Sequence, residues 1–257
     1  MGIIRDHMTA MRNLVFCSLF SLSTLATAAA PLEINVEDNA DPFSQADGSG
    51  YANEVVKAAF AAVGVDIKLV VMPYARCKKQ VIEARSVACF NMSAEPALSG
   101  KVKFADTPLF SVTPVYFEDI RRPLGIKSEA ELRRGMRVGI IRDYEYPDST
   151  MMAATRGVIF EGGRSEQNNL KKLAAGHLDA ALVMSNELTG TRPFLREAGV
   201  GDNVRVAFVS SGRQIAYFGV SIKHPLGAST LEKYNEGIRI ITKNGTLAGI
   251  KAKWSNR

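Results

Sequence analysis

Three short stretches carry residues able to do chemistry. The run Arg142-Asp143-Tyr144-Glu145-Tyr146-Pro147-Asp148-Ser149 places a glutamate between two tyrosines. Phenolic hydroxyls beside a carboxylate suit a cationic or hydroxylated ligand better than a free carboxylate. The run Cys89 to Leu98, "CFNMSAEPAL", ends an apolar stretch in a short polar loop. It offers Asn91 and Ser93 but no arginine, histidine or carboxylate pair. The third stretch follows Pro73. Tyr74 supplies a flat face and an O–H for orientation. Arg76 sits in the first turn of the same helix, where a cation opposes the helix dipole. A functional role would explain that placement, and simple surface exposure would also accommodate it. Glu37 and Glu145 are the carboxylates placed for acid or base work, but no nucleophile–base pair accompanies them. His7, His177 and His224 lie far apart and the cysteines lack metal-ligand spacing, so no metal and no cofactor is expected.

The 257 residues, 46% hydrophobic and 23% charged, fit one large folded domain or two small ones and argue against disorder. The formal net charge is +6. The basic residues are scattered and no aromatic–basic motif appears, so nucleic acid is not expected as a partner. Arg5 and Arg12 precede an apolar run from Leu14 to Leu25, followed by Ala26-Thr27-Ala28. This is the pattern of a cleaved export segment, residues 1–28, ending before Ala29. Its apolar run is short for a membrane span. After cleavage Cys77 and Cys89 remain. Cys77 shares a helical face with Val81 and Ala84, and the returning chain can bring Cys89 beside it. A disulfide formed after export and two buried free thiols are both open readings.

These groups need elements to position them. Residues 32–37 read as a strand, 42–50 as a loop, and 52–63 as a helix with apolar positions 55, 56, 59, 60 and 63 and a stop at Gly64. Strand 65–73, helix 74–85 and strand 86–92 follow. This βαβαβ order predicts a parallel sheet with helices on its faces. The pattern restarts after a capping box at Ser128 and Glu131. Strands are expected at 136–141, 157–162, 177–184 and 204–209, with helices at 151–155, 168–175 and 186–197. A strand at 215–223 and two helices, carrying Leu231, Tyr234, Ile238 and Ile241 and then Leu247, Ile250 and Trp254, close the chain. Two α/β units enclose a cleft, and ligands of open α/β sheets bind beyond the carboxyl ends of strands. That selects the loops 37–43, 72–76, 91–95 and 142–148.

In order and spacing, "DPFSQADGSGYANEVVKAAFAAVG" (41–64), "KVKFADTPLF" (101–110), "ELRRGMRVGI" (131–140), "NNLKKLAAGHLDAAL" (168–182) and "NGTLAGIKAKW" (244–254) resemble the extracytoplasmic solute-binding proteins of ABC importers, family 3. The resemblance covers nearly all of the chain after residue 28. It implies an α/β, two-lobed periplasmic binding protein type II fold. Each lobe would be a mixed, mostly parallel sheet flanked by helices, with two hinge crossovers. Residues 29–111 plus 217–257 would form lobe 1 and 112–216 lobe 2, closing about a hinge on the ligand. It further implies a periplasmic monomer that carries a small-molecule ligand to an ABC permease in the inner membrane.

Members that bind amino acids fork the ligand α-carboxylate with an arginine after the third strand. Here the matching position is Ala97 or Leu98. An aspartate in the other lobe receives the ligand ammonium, and here the match is Met184 or Ser185. A ligand other than an ordinary α-amino acid is therefore expected, with Arg76 and Arg142 the nearest substitutes for a missing anchor. Glu37 falls where the family places an acidic ligand contact, and Tyr74 where it places a wall over the ligand. Asn91 and Ser93 fall in a ligand-holding loop. Arg142, Tyr144, Glu145 and Tyr146 replace the usual Gly-Thr-Thr-like run, although the tyrosines could instead pack on the following helix. Two alternatives accompany the transport reading: an accessory or sensory protein that binds a protein partner, and a periplasmic dehydratase-like enzyme using Glu37 and Glu145.

Overall fold

The computed structural model describes Gly2 and residues 30–256. The expected export segment lies outside the described residues. Residues 31 onward form a compact unit.

The first half opens with β1 (Leu32–Glu37), a small ribbon of β2 (Asn39–Ala40) and β3 (Ser44–Gln45), and α1 (Tyr51–Ala62). β4 (Ile67–Met72), α2 (Tyr74–Ile82) and β5 (Ala88–Ser93) complete the expected βαβαβ unit. β1 pairs in parallel with both β4 and β5. Helix α1 buries Val55, Val56, Ala59 and Phe60 on one face. It ends where Gly64 takes φ 68°, a left-handed conformation that glycine adopts without a Cβ penalty.

Next come β6 (Val102–Phe104) and the ten-residue β7 (Phe110–Asp119), neither of which was expected as a strand. The second half contains β8 (Arg137–Ile141), α3 (Asp148–Thr155), β9 (Ile159–Gly163), α4 (Glu166–Ala174) and β10 (Ala180–Asn186). α5 (Arg192–Ala198), β11 (Val204–Val209), β12 (Gln214–Ser221), α6 (Gly227–Lys243) and α7 (Thr246–Ser255) finish the chain.

The main path through the larger sheet runs β4-β1-β5-β12-β7-β10-β8-β9. β7 and β12 pair antiparallel at its centre, Gln214 opposite Val112 and Ala216 opposite Phe110. Along β7 the chain leaves the first half, and along β12 it returns. The helices divide accordingly. α6 and α7 pack against α1 around Phe60, Tyr234 and Trp254, while α4 and α5 cover β10 and β7 around Leu170, Leu173 and Phe194.

Two local expectations are corrected. Ser128 and Glu131 introduce only a single 3-10 turn, Glu129–Glu131, because the Ser128 hydroxyl donates to the Glu131 carboxylate at 3.1 Å instead of capping a backbone N–H. The helix expected from Asn186 starts at Arg192. Asn186 ends β10, and its Oδ1 accepts from the N–H groups of Leu188 and Thr189 at 2.9 Å, holding a turn in place of a helix start.

Cys77 and Cys89 are joined in a disulfide with a Cα–Cα distance of 5.8 Å. It ties α2 to β5 inside a satellite core that includes Met72, Val81, Met92 and Leu98.

Candidate functional site

β1, β5 and β8 all end at the cleft, and α2 and α4 begin there. The cleft holds a cavity of about 80 Å³. Of the residues singled out in the sequence, Glu37, Tyr74, Asn91, Ser93, Tyr144 and Glu145 line it.

Glu37 is the last residue of β1 and only 4% exposed. Its Oε1 accepts from Asn91 Nδ2 at 2.9 Å. Asn91 also donates to Ser44 Oγ at 3.0 Å, which in turn donates to Asn53 Oδ1 at 2.6 Å. The β5–β12 register slips here: Met92 faces Tyr217 while Phe90 faces Phe218. Asn91, in the slip, takes φ 65°, a conformation costly for a residue with a Cβ but tolerated best by Asn and Asp. A bulge of this kind re-aims a side chain, and here it points Asn91 at Glu37.

The other wall comes from the loop after β8. The Tyr144 hydroxyl lies 2.7 Å from Asn39 O and 3.1 Å from Glu37 Oε2. In return, the Tyr74 hydroxyl from α2 donates to the Glu145 carboxylate at 2.7–2.8 Å. The two rings meet edge to face with centroids 5.7 Å apart. Lys78, one turn after Tyr74, pairs with Glu145 at 2.6 Å and Glu95 at 3.1 Å. The halves thus exchange tyrosines: each contributes a phenol to the other's carboxylate.

Burial pushes the Glu37 carboxyl up to about 8, opposed by its contacts with Asn91 and Tyr144 and assisted by the nearby charges of Glu145 and Asp38. Burial also raises Glu145, against the pull of Lys78 and Tyr74. Both tyrosines are held well above the usual phenol range by burial and the adjacent carboxylates. For Lys78, burial opposes the charged form, but Glu145 and Glu95 together raise it.

The remaining sequence candidates lie elsewhere. Arg76 and Arg142 are exposed and do not line the cavity. Tyr146 is buried in the hydrophobic core, its hydroxyl accepting the Ile141 N–H at 2.8 Å. Ala97 is exposed and Leu98 is buried in the satellite core, whereas Met184 lines the cavity with its apolar side chain.

Several cavity residues escaped sequence reasoning. Phe43 stacks on Phe110 with centroids 3.5 Å apart and both border the cavity. Phe43 reads as core by itself, and Phe110 belongs to a strand that the pattern did not reveal. Glu166 opens α4 behind the N-cap Ser165, whose Oγ accepts the Asn168 N–H at 3.2 Å. Surrounding protein raises the Glu166 carboxyl to about 7, opposed only by its own N–H. The helix-start signal at Ser165 was legible, but the cavity that Glu166 shares with Glu37 was not. Among the described residues no cluster of His, Cys, Asp and Glu has metal-site geometry.

No family model matches the chain, and no curated protein matches it in sequence. Solved structures do match in fold. A histidine kinase sensor domain with similarity to periplasmic binding proteins superposes with a TM-score of 0.74 at 20% identity, covering 87% of this chain and 95% of that one. The arginine-, lysine-, histidine-binding protein ArtJ from the thermophilic bacterium Geobacillus stearothermophilus gives 0.71 at 14% identity, covering 89% and 96%. The ancestral amino acid-binding protein AncCDT-1, a precursor of cyclohexadienyl dehydratase, gives 0.67 at 17% identity, covering 87% and 94%. The chain therefore has the two-lobed α/β fold of periplasmic binding proteins of type II, with β7 and β12 as its crossovers.

Proposed function

We propose that this chain is a periplasmic solute-binding protein that takes a small polar solute into its cleft and presents it to an ABC permease. The observation that carries this reading is the reciprocal exchange of tyrosines across the cavity, Tyr74 to Glu145 and Tyr144 to Glu37. Bonds of this kind form on closure of two halves and break on opening. They surround a cavity with apolar walls and a few convergent polar groups, the usual composition of a small-molecule site. Binding needs no cofactor, no nucleophile and no second copy of the chain.

The test is a thermal-shift screen against amino acids, amines, sugars and organic acids, followed by calorimetry on the hits. A ligand that binds only the folded state raises the melting temperature by mass action, by about 2.7 kcal/mol of stability at a hundredfold excess over Kd. A shift with one chemical class supports the reading, and no shift with any class overturns it. Product analysis on the hits separates binding from turnover by a dehydratase-like enzyme.

The likeness to a histidine kinase sensor domain favours a second reading, a sensory or accessory protein whose lobes present a surface to a protein partner. Closure driven by ligand would then control that surface. The two readings differ in whether a permease or a signalling protein co-purifies with the liganded form.

A further inference from the structure

We infer that the cleft selects a protonated amine with a compact apolar body and no carboxylate, its ammonium seated against Glu37. This inference rests on the reading of the cavity as a solute site and names the chemical class of that solute.

Charge is the first argument. Glu37, Asp41, Glu145 and Glu166 line the cavity, and no lysine, arginine or histidine does. The Lys78 ammonium, paired with the lining residue Glu145, is already committed to it and to Glu95. The first turn of α4, where an anion could find free N–H groups, is occupied by the carboxyl of Glu166, which accepts its own N–H. An entering carboxylate would meet no cationic side chain in the lining to neutralise it.

The second argument is hydrogen bonding. A phenol has one hydrogen. Asn39 O can only accept, and at 2.7 Å it takes the Tyr144 hydrogen. The 3.1 Å contact between Tyr144 and Glu37 Oε2 is then satisfied only when Glu37 itself carries a proton and donates it. Nearby, Asn91 Oδ1 is buried without a hydrogen-bond partner although the side chain lines the cavity. Its amide group is fixed by two acceptors, Glu37 Oε1 and Ser44 Oγ, so the free oxygen cannot be exchanged for nitrogen. The carboxylate left when the Glu37 proton departs is the complement of an ammonium. On binding, the ligand's N–H groups meet the Glu37 carboxylate, while the Glu37 proton leaves to solvent.

The third argument is shape. The stacked rings of Phe43 and Phe110, with Met184 and Phe194, make much of the remaining wall. These residues suit an aliphatic or aromatic body and offer no partner for further charges.

The groups facing Glu37 fix the sign of the proton exchange. Asp38 and Glu145 repel its ionised form, the Asn91 N–H favours it, and burial outweighs that donor, while the Tyr144 hydrogen is turned to Asn39 O. Lys78 and Tyr74 act on it through Glu145. With the carboxyl at about 8, roughly nine in ten molecules carry the proton at pH 7. An ammonium would therefore release about one proton per ligand bound.

The experiment pairs each amine with the amino acid that differs by a carboxylate: phenethylamine with phenylalanine, tyramine with tyrosine, and isopentylamine with leucine. Calorimetry at pH 7 is run in two buffers of different ionisation enthalpy. The expected result is at least one amine binding tenfold or more tightly than its parent acid, with a buffer-dependent heat equal to about one released proton. Glu37→Gln, close to isosteric with the protonated carboxyl, should melt cooperatively yet lose both the affinity and the proton release. Amino acids binding as well as their amines would overturn the inference while leaving the solute-binding reading intact, as would binding by sugars or organic acids alone. Tight amine binding without proton release would overturn the assignment to Glu37. No binding by any class would overturn both readings.

Discussion

Glu37→Gln separates the charge of this carboxyl from its shape. In the folded chain the group sits at about 8 instead of its ordinary 4.5. Between those values the folded protein keeps a proton that the unfolded chain has released. Stability from Glu37 is therefore complete below pH 4.5 and is lost as pH rises through 8. The slope is about 1.4 kcal/mol per pH unit, and the whole interval amounts to about 5 kcal/mol. Because Glu37 is only 4% exposed, solvent screening does little to reduce it. Glutamine cannot ionise, yet its amide can accept from Asn91 and donate to Tyr144, as the protonated acid does. Thermal melts of both proteins at pH 5, 6, 7 and 8 isolate the effect, since Glu145 and Glu166 are common to both. For a chain of this size 1 kcal/mol moves the melting temperature by about 2–4 °C. The gap should therefore shift in favour of Glu37→Gln by about 3–5 °C per pH unit. Parallel profiles across this range would refute the claim that Glu37 is held protonated.

Three further outcomes are expected. Tyr74→Phe removes the donor to Glu145 and should cost about 1.5–3 kcal/mol in urea unfolding, the range for a bond to a charged acceptor; small-angle scattering should also report a more open cleft. Reducing the Cys77–Cys89 disulfide, which closes a loop with a sequence separation of 12, should cost about 3 kcal/mol by loop entropy; equal melting temperatures with and without reductant would contradict it. Gly237→Ala should destabilise by about 1–3 kcal/mol, because its Cβ would drive into Ala59 O where α6 crosses α1; an unchanged unfolding midpoint would show that the helices can move apart.

The sequence by itself determined most of the elements. Residues 55, 56, 59, 60 and 63 mark one face of α1, and Gly64 ends it at positive φ. Local periodicity and backbone freedom suffice for such features, as they do for α6 and α7. It also placed Glu37, Tyr74, Asn91, Ser93, Tyr144 and Glu145 at strand ends, where α/β proteins keep ligand groups. What it did not reveal was β7. Its residues Val115, Phe117 and Tyr116 are buried alike, because the strand lies at the centre of the sheet with both faces covered. Alternation, the usual strand signal, is lost under those conditions.

Partnership was decided only by the tertiary structure. Tyr74 and Glu145 are 71 residues apart, and Tyr144 and Glu37 are 107 apart. Nothing in local sequence distinguishes these two tyrosines from Tyr146, whose hydroxyl is instead used by the Ile141 N–H. Arg76 and Arg142 had the chemistry of an anion anchor but face outward, since a helix or loop position sets direction as firmly as distance. The protonation of Glu37 was likewise hidden. A carboxyl's charge depends on what surrounds it, and its surroundings were assembled by the meeting of β1, β5 and the loop after β8.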